Sequence, residues 1–281
     1  MSAAGPIAVT GATGYVGSRV ARRLADAGVP QRLLVRDAAR APQLDGAEVV
    51  TIPDLAAEDA VRDALRGAST LFLVPAHEAP DRVDGHAATI RAAVAAGVGR
   101  IVYLSFVGAR EDATFTLVRD HWATEELVRR AGLAWTFVRM NLYTDFLTAM
   151  AGQDGVLRGP AGHGRFTPVV RDDVAAACAA VLTGSGHDGR AYDIVGPERL
   201  TMDDVAATIA RVTGRSVVFQ DETDEEARAS RAHYGAPEWE LRAWISTYVA
   251  IRDGSLDLAS PDFATLVGRP ATSLAEHLAA D

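Results

Sequence analysis

The chain opens with short β-branched, apolar runs separated by longer stretches of helical character. Residues 7–10, 32–35, 48–52, 70–74, 100–104 and 135–139 read as strands. Strands joined through helices imply right-handed βαβ crossovers and a parallel sheet covered on both faces. After about residue 143 the pattern changes to short helices and isolated strands, with glycine- and proline-rich turns at 155–164 and 184–189. Strands are predicted at 191–195 and 216–219, and helices at 201–213, near 222–252 and at 271–279. Thr201 followed by Asp204 has the form of a helix-opening capping box. The expected architecture is a doubly wound α/β sheet over residues 1–143. A small C-terminal α/β lobe over 144–281 follows, with some of its segments free to return to the first domain.

The first strand runs into Gly11-Ala12-Thr13-Gly14-Tyr15-Val16-Gly17, and a helical pattern with apolar Val16, Val20 and Leu24 follows directly. Gly11 permits a tight turn, Gly14 lets the backbone approach a pyrophosphate, and Gly17 lets the helix pack close to the strand. Strand, glycine loop and helix together predict a Rossmann-type dinucleotide cradle, with the anion at the helix N-terminus and Thr13, Tyr15 and Val16 completing it. The spacing is one residue wider at the front than Gly-x-Gly-x-x-Gly and resembles that of the extended and atypical short-chain branch. The second strand ends in Arg36-Asp37, where an NAD enzyme often places an acid against the ribose 2′-hydroxyl. Arg36 offers a planar cationic fork for a 2′-phosphate, with Arg40 as a second contact, and so predicts NADP(H). Asp37 facing the ribose would instead favour NAD.

Composition narrows the chemistry. The 281 residues contain no lysine, so all 28 Lys/Arg positions are arginine. A P-loop lysine, a Schiff-base lysine and the Tyr-x-x-x-Lys pair of many short-chain dehydrogenases are excluded. The formal net charge of -9 argues against a nucleic-acid partner. No apolar run approaches the ~20 residues that cross a bilayer, and no basic-flanked leader precedes the first strand. A cytoplasmic protein without a membrane partner is therefore expected. The single cysteine, Cys178, lies in the apolar run 174–182 and reads as buried packing without a disulfide. The histidines lack paired ligand spacing, so no metal is expected. Monomer and homodimer both remain open.

Later segments carry a more specific signal: Val35-Arg36-Asp37, residues 101–106, His121-x-x-x-Glu125, Gly132-Leu133-x-x-Thr136-x-x-Arg139-x-Asn141-x-Tyr143, Asp173-Val174-Ala175, Gly189-Arg190-x-Tyr192 and Thr213-Gly214-Arg215. In this order, and with the glycine loop, they span nearly the whole chain. They resemble the NmrA-like atypical short-chain dehydrogenase/reductases, and within them the type 2 NAD(P)H:quinone oxidoreductases. The resemblance implies a Rossmann domain with a small lobe closing over the nicotinamide, NADPH as the common ligand, and a small aromatic or quinone-like substrate. By the same analogy Asp54 would sit near the adenine, and Pro75, Ala76 and His77 would pass the ribose. His121 would stand where several relatives carry a lysine or another polar residue. Some members bind dinucleotide without turnover, so a redox sensor remains an alternative, as does a cofactor-retaining isomerase or epimerase.

The missing acid bears on the acceptor. Reducing an isolated ketone generates an alkoxide, whereas reducing a quinone generates a phenolate. Taking ~15.7 for water and ~10 for a phenol, about six pK units separate them, or roughly 8 kcal/mol less for a positioned acid to supply. A chain without the tyrosine-lysine pair is better suited to quinone-like acceptors. Ser105, after the fifth strand, would touch the nicotinamide ribose or the acceptor, with a structural strand-end hydrogen bond as the alternative. His121 and Glu125 lie one helical turn apart, where the carboxylate would favour imidazolium and make His121 a proton donor. Asn141 and Tyr143 would orient the nicotinamide amide or the acceptor oxygen. Among Phe106, Trp122, Tyr143, Phe146, Trp239 and Trp244, two or three are expected to line a pocket for a flat acceptor.

Overall fold

The computed structural model describes residues 5–280. The first half alternates strand and helix: β1 (Ile7–Thr10), α1 (Tyr15–Asp26), β2 (Gln31–Val35), β3 (Ala47–Thr51), α2 (Glu58–Leu65), β4 (Thr70–Leu73), α3 (Arg82–Ala95), β5 (Arg100–Phe106), α4 (Thr116–Arg130) and β6 (Ala134–Met140). Then follow α5 (Leu147–Met150), β7 (Val156–Gly159), α6 (Arg171–Thr183), β8 (Arg190–Ile194) and α7 (Met202–Thr213). The last elements are β9 (Val218–Asp221), α8 (Asp224–Arg231), α9 (Glu238–Arg252), α10 (Asp262–Val267) and α11 (Leu274–Ala280).

Among the described residues, seven strands form one sheet in the order β3-β2-β1-β4-β5-β6-β8. The ladders from β3 across to β5 are parallel. The chain steps outward from β1 to β3 and then lays β4 against the free edge of β1. Strand order therefore reverses between β1 and β4, which opens a crevice at the carboxyl ends of the strands. This is the doubly wound Rossmann-type sheet that the pattern of apolar runs predicts.

The strands are apolar almost throughout because both faces are covered. Leu71, Leu73, Ile101, Tyr103 and Phe137 pack with Val61 and Leu65 of α2, Ile90 of α3 and Val128 of α4. Helix α1 buries Val16, Val20, Ala21 and Leu24, a stripe at helical spacing, while its arginines take the other side.

The chain separates into two units that interleave along the sequence. One takes residues up to 105, 120–139 and 174–192; the other takes 106–119, 140–173 and residues from 193 onward. Of the residues expected in the C-terminal lobe, the segment 174–192 groups with the first unit. Its helix, α6, explains the return: Val174, Ala175, Ala177, Cys178 and Val181 are all inaccessible. A helix apolar around its circumference needs cover on every side. Burial also pushes the Cys178 thiol pKa up.

In the second unit β7 pairs in parallel with β9, Val156 opposite Val218. The stretch 155–164, expected as a turn, thus contains a strand, and the strand expected at 216–219 begins two residues later. Gly159 misled the pattern: it stands in β7 because a side-chain carbon there would lie 2.3 Å from the ring of Tyr248. The capping box at α7 is formed, Thr201 Oγ1 accepting from Asp204 N–H at 3.0 Å and Asp204 Oδ2 accepting from Thr201 N–H at 2.9 Å. Among the described residues no helix is long and apolar enough to cross a membrane.

Gly159→Ala should lower the unfolding free energy by about 1–3 kcal/mol through overpacking against Tyr248. Gly99→Ala, whose added carbon would stand 3.5 Å from the Ser69 carbonyl oxygen, should be neutral or slightly stabilising. Urea unfolding of both variants checks the contrast.

Candidate functional site

The crevice between β1 and β4 is fastened by Thr10. Its hydroxyl lies 3.3 Å from the Phe72 carbonyl and 3.2 Å from that of Val74, and its oxygen accepts the Val74 N–H at 2.8 Å. Directly afterwards Gly11 adopts φ 63°, in the left-handed region, against the side chain of Val74. The Gly14 N–H donates to the Gly11 carbonyl at 2.9 Å and closes the turn. Helix α1 starts from Gly14 without a side-chain cap, so its first amides are open to an external anion. Around this point lies a cavity of about 660 Å³, lined by Gly11, Thr13 and Gly14, by Arg36 after β2, by Ile52 and Asp54 after β3, and by Pro75, Ala76 and His77 after β4.

The structure sorts the candidate cofactor residues. Arg36 is exposed on the cavity wall, and among the described residues its guanidinium has no hydrogen-bond or ion-pair partner. Asp37 does not line the cavity; its Oδ1 accepts the Ala39 N–H at 3.0 Å and caps the 3-10 turn at Ala38–Arg40. Arg40 ends that turn, outside the cavity lining. Asp54 Oδ1 accepts the N–H groups of Ala56 and Ala57 at 2.7 and 3.0 Å, which shapes the wall after β3. Val16 and Gly17 are buried beneath the loop, and the Tyr15 ring carries the Arg19 guanidinium 3.4 Å from its centroid. Tyr15, Val16, Gly17 and Ser105 are not part of the cavity lining.

Sequence reasoning missed the far wall. Arg82, Asp84 and Gly85 at the start of α3 line the cavity together with Asp81. Arg82 is buried along most of its length and paired with Asp120 at 3.1 Å. The cluster of charges at 81–84 was the available signal, and it reads as an ordinary solvated helix start.

The four candidate catalytic residues divide between the units: Ser105 and His121 lie in the first, Asn141 and Tyr143 in the second. Ser105 is buried and donates to Glu125 Oε1 at 2.6 Å, the structural strand-end bond of its two readings. Glu125 is also buried, and Arg139 and Arg129 donate to its Oε2 at 2.6 and 2.9 Å. The imidazolium expected at His121 is corrected. Its ring is buried with Nδ1 3.0 Å from the Tyr103 hydroxyl, and desolvation, then the charges of Arg82 and His86, hold its pKa well below the ordinary value. Glu125 is instead engaged by Ser105, Arg139 and Arg129. Asn141 is buried, its Nδ2 donating to Thr167 Oγ1 at 2.9 Å and to the Leu256 carbonyl at 3.0 Å, its Oδ1 accepting the Leu142 N–H at 2.7 Å. Those bonds tie the loop after β6 and engage the amide that was expected to orient a ligand. Tyr143 is half-buried, its ring 5.9 Å from that of the exposed Phe146.

A family model described as NAD(P)H-binding matches residues 11–185, from the glycine loop through α6. The chain belongs to this NAD(P)H-binding family. Its relatives include an NAD(P)H azoreductase of Xenophilus azovorans, 33% identical over 96% of each chain. Another is a (4-alkanoyl-5-oxo-2,5-dihydrofuran-3-yl)methyl phosphate reductase of Streptomyces griseus, 39% identical over 94% of each chain. A solved structure of an NADPH-dependent quinone oxidoreductase of Escherichia coli, complexed with NADPH, aligns with a TM-score of 0.90 at 31% identity. The alignment covers 98% of this chain and 99% of that one. The resemblance read from the sequence is borne out, and the family's dinucleotide fits a cavity that joins an uncapped helix start to an unpaired arginine.

The buried histidines make folding sensitive to acid. Burial first, and Arg82 second, push the His86 pKa from 6.5 down to about 3, and His121 is lowered as well. Below about 6.5 the unfolded chain therefore binds protons that the folded chain refuses, and stability falls as pH drops from there towards the folded pKa values. Each histidine should contribute up to about 1.4 kcal/mol per pH unit. Urea unfolding between about pH 6.5 and 4.5, above most carboxylate titration, should show that slope, and His86→Gln should remove about half of it.

Proposed function

We propose that this protein is an NADPH-dependent reductase of quinones or related conjugated carbonyls. The observation that carries the cofactor choice is the opposite disposition of two neighbours: Arg36 stands open on the cavity wall, while Asp37 is engaged as a cap. A free guanidinium at the tip of β2 recognises a 2′-phosphate through paired, charge-assisted hydrogen bonds. The acidic group that would select a bare ribose is turned into the backbone.

In this reading the Gly11–Gly14 turn and the first amides of α1 hold the pyrophosphate, Arg36 holds the 2′-phosphate, and Asp54 with residues 75–77 bound the adenosine end. When bound, the reduced nicotinamide supplies a hydride. The acceptor class rests on the reductase names of the relatives and on the chain's own lack of lysine. Ser105 and His121 are both engaged in buried hydrogen bonds, so neither stands ready as the acid a plain ketone demands. A quinone leaves a phenolate, which takes its proton from water without such help.

Calorimetric titration should give tighter binding of NADPH than of NADH, and Arg36→Ala should weaken NADPH roughly 10- to 100-fold while sparing NADH. Equal affinities in the parent protein would overturn the 2′-phosphate assignment. Stopped-flow NADPH consumption should be brisk with naphthoquinones and negligible with unactivated ketones. Rapid ketone turnover would sink the acceptor assignment, and tight NADPH binding with no turnover on any acceptor would make the protein a sensor.

A further inference from the structure

The wall of the cavity after β4 is held from behind by a side chain that does not line it. His86, inaccessible on α3, accepts the Ala76 N–H at its Nε2, 3.0 Å away. A backbone amide only donates, so Nε2 is bare and the neutral ring carries its proton on Nδ1. Nδ1 lies 2.9 Å from Thr124 Oγ1, and the Thr124 hydroxyl in turn donates to the Asp120 carbonyl at 2.8 Å. The Nδ1 proton is thereby directed to the Thr124 oxygen, whose own proton serves the Asp120 carbonyl or the neighbouring Tyr103 hydroxyl. The tautomer of His86 is thus dictated by the backbone N–H of Ala76.

Ala76 belongs to the cavity lining, whereas His86 and Thr124 do not. The opposite tautomer would set an Nε2–H against the Ala76 N–H, and imidazolium would do the same. Both would push the loop off its position. Burial keeps imidazolium from forming near neutral pH, since His86 is protonated only at about 3. The helix α4 therefore reaches the cavity wall through one imidazole of defined tautomer.

We propose that Thr124 and His86 form a fixed-tautomer relay that positions Ala76 in the dinucleotide-binding wall, so that cofactor affinity depends on two side chains outside the site. This rests on the assignment of the cavity to the dinucleotide. His86 and Thr124 are positioning residues, and their effect is transmitted by a single backbone amide.

The test uses two pairs of variants of the full chain, with NADPH dissociation constants measured by calorimetry and thermal midpoints measured without ligand. His86→Leu removes the acceptor for Ala76, whereas His86→Gln supplies a side-chain carbonyl in its place. Thr124→Val removes the acceptor for Nδ1–H, whereas Thr124→Ser keeps it. Leaving a buried donor unmatched should weaken NADPH roughly tenfold in the Leu and Val variants. The Gln and Ser variants should stay within about threefold of the parent. If His86→Leu fails to fold, the Thr124 pair decides alone. Nitrogen-15 spectra of the imidazoles at neutral pH should show His86 protonated on Nδ1 and bare on Nε2. Affinities that follow the thermal midpoints rather than the presence of the acceptor would overturn the relay, as would an Nε2–H tautomer. A parent protein that binds no NADPH would instead remove the cavity assignment on which the relay rests.

Discussion

The backbone of Gly17 is pressed so close to the glycine loop that a side-chain carbon there would stand 2.2 Å from the Gly11 carbonyl oxygen. This approach sets the entry of α1 against the end of β1. It also brings the uncapped first turn of the helix to the crevice where strand order reverses. Thr10 fixes the other side by tying the end of β1 to that of β4. A helix start then faces a cavity with its amides unmatched by any side-chain cap, a place suited to an anion. Arg36 and the loop after β4 extend the cavity from that point.

Behind the cavity the first unit is unusually polar for a sheet covered by helices. His86, Tyr103, His121 and Thr124 are buried together, and beside the end of β5 the buried Ser105 and Glu125 meet the half-buried Arg139. Buried polar groups are costly unless matched, and here donors and acceptors meet across β5, β6, α3 and α4. The groups that look like acid and nucleophile candidates in the sequence are the same ones that join these elements. Their protons are committed to the interior. That would suit the proposed reduction of a quinone, whose product is already a stable anion.

The proposed cofactor preference turns on a much smaller feature. Arg36 and Asp37 are adjacent, and their side chains leave the end of β2 in different directions. The 3-10 turn at Ala38–Arg40 engages one of them, its Ala39 N–H donating to the carboxylate of Asp37. Arg36 is left at the cavity with its charge open. The disposition of Asp37 comes from a local hydrogen bond outside the cavity lining, whereas Asp54, itself in the lining, caps the backbone of Ala56 and Ala57.

Much of this was legible in the chain itself. Apolar runs of strand length, three glycines at the right spacing and an amphipathic first helix are local signals, and they determined the doubly wound sheet and the anion cradle. Thr201 and Asp204 were equally readable, because a capping box involves residues three apart. What depended on long-range packing was not readable. Gly159 has the look of a turn residue, yet it lies in a strand because Tyr248 packs on it from α9. Helix α6 looked like part of the C-terminal lobe, but its all-round apolar surface requires burial in the first unit. His121 and Glu125 are one turn apart on α4, which suggested a functional pair. Tertiary structure instead gave the imidazole to Tyr103 and the carboxylate to Ser105, Arg129 and Arg139, partners on other strands or a further turn along the helix. Spacing along the chain fixes which side chains are neighbours on one element, while the protonation and partners of a buried group are set by whatever the fold brings against it.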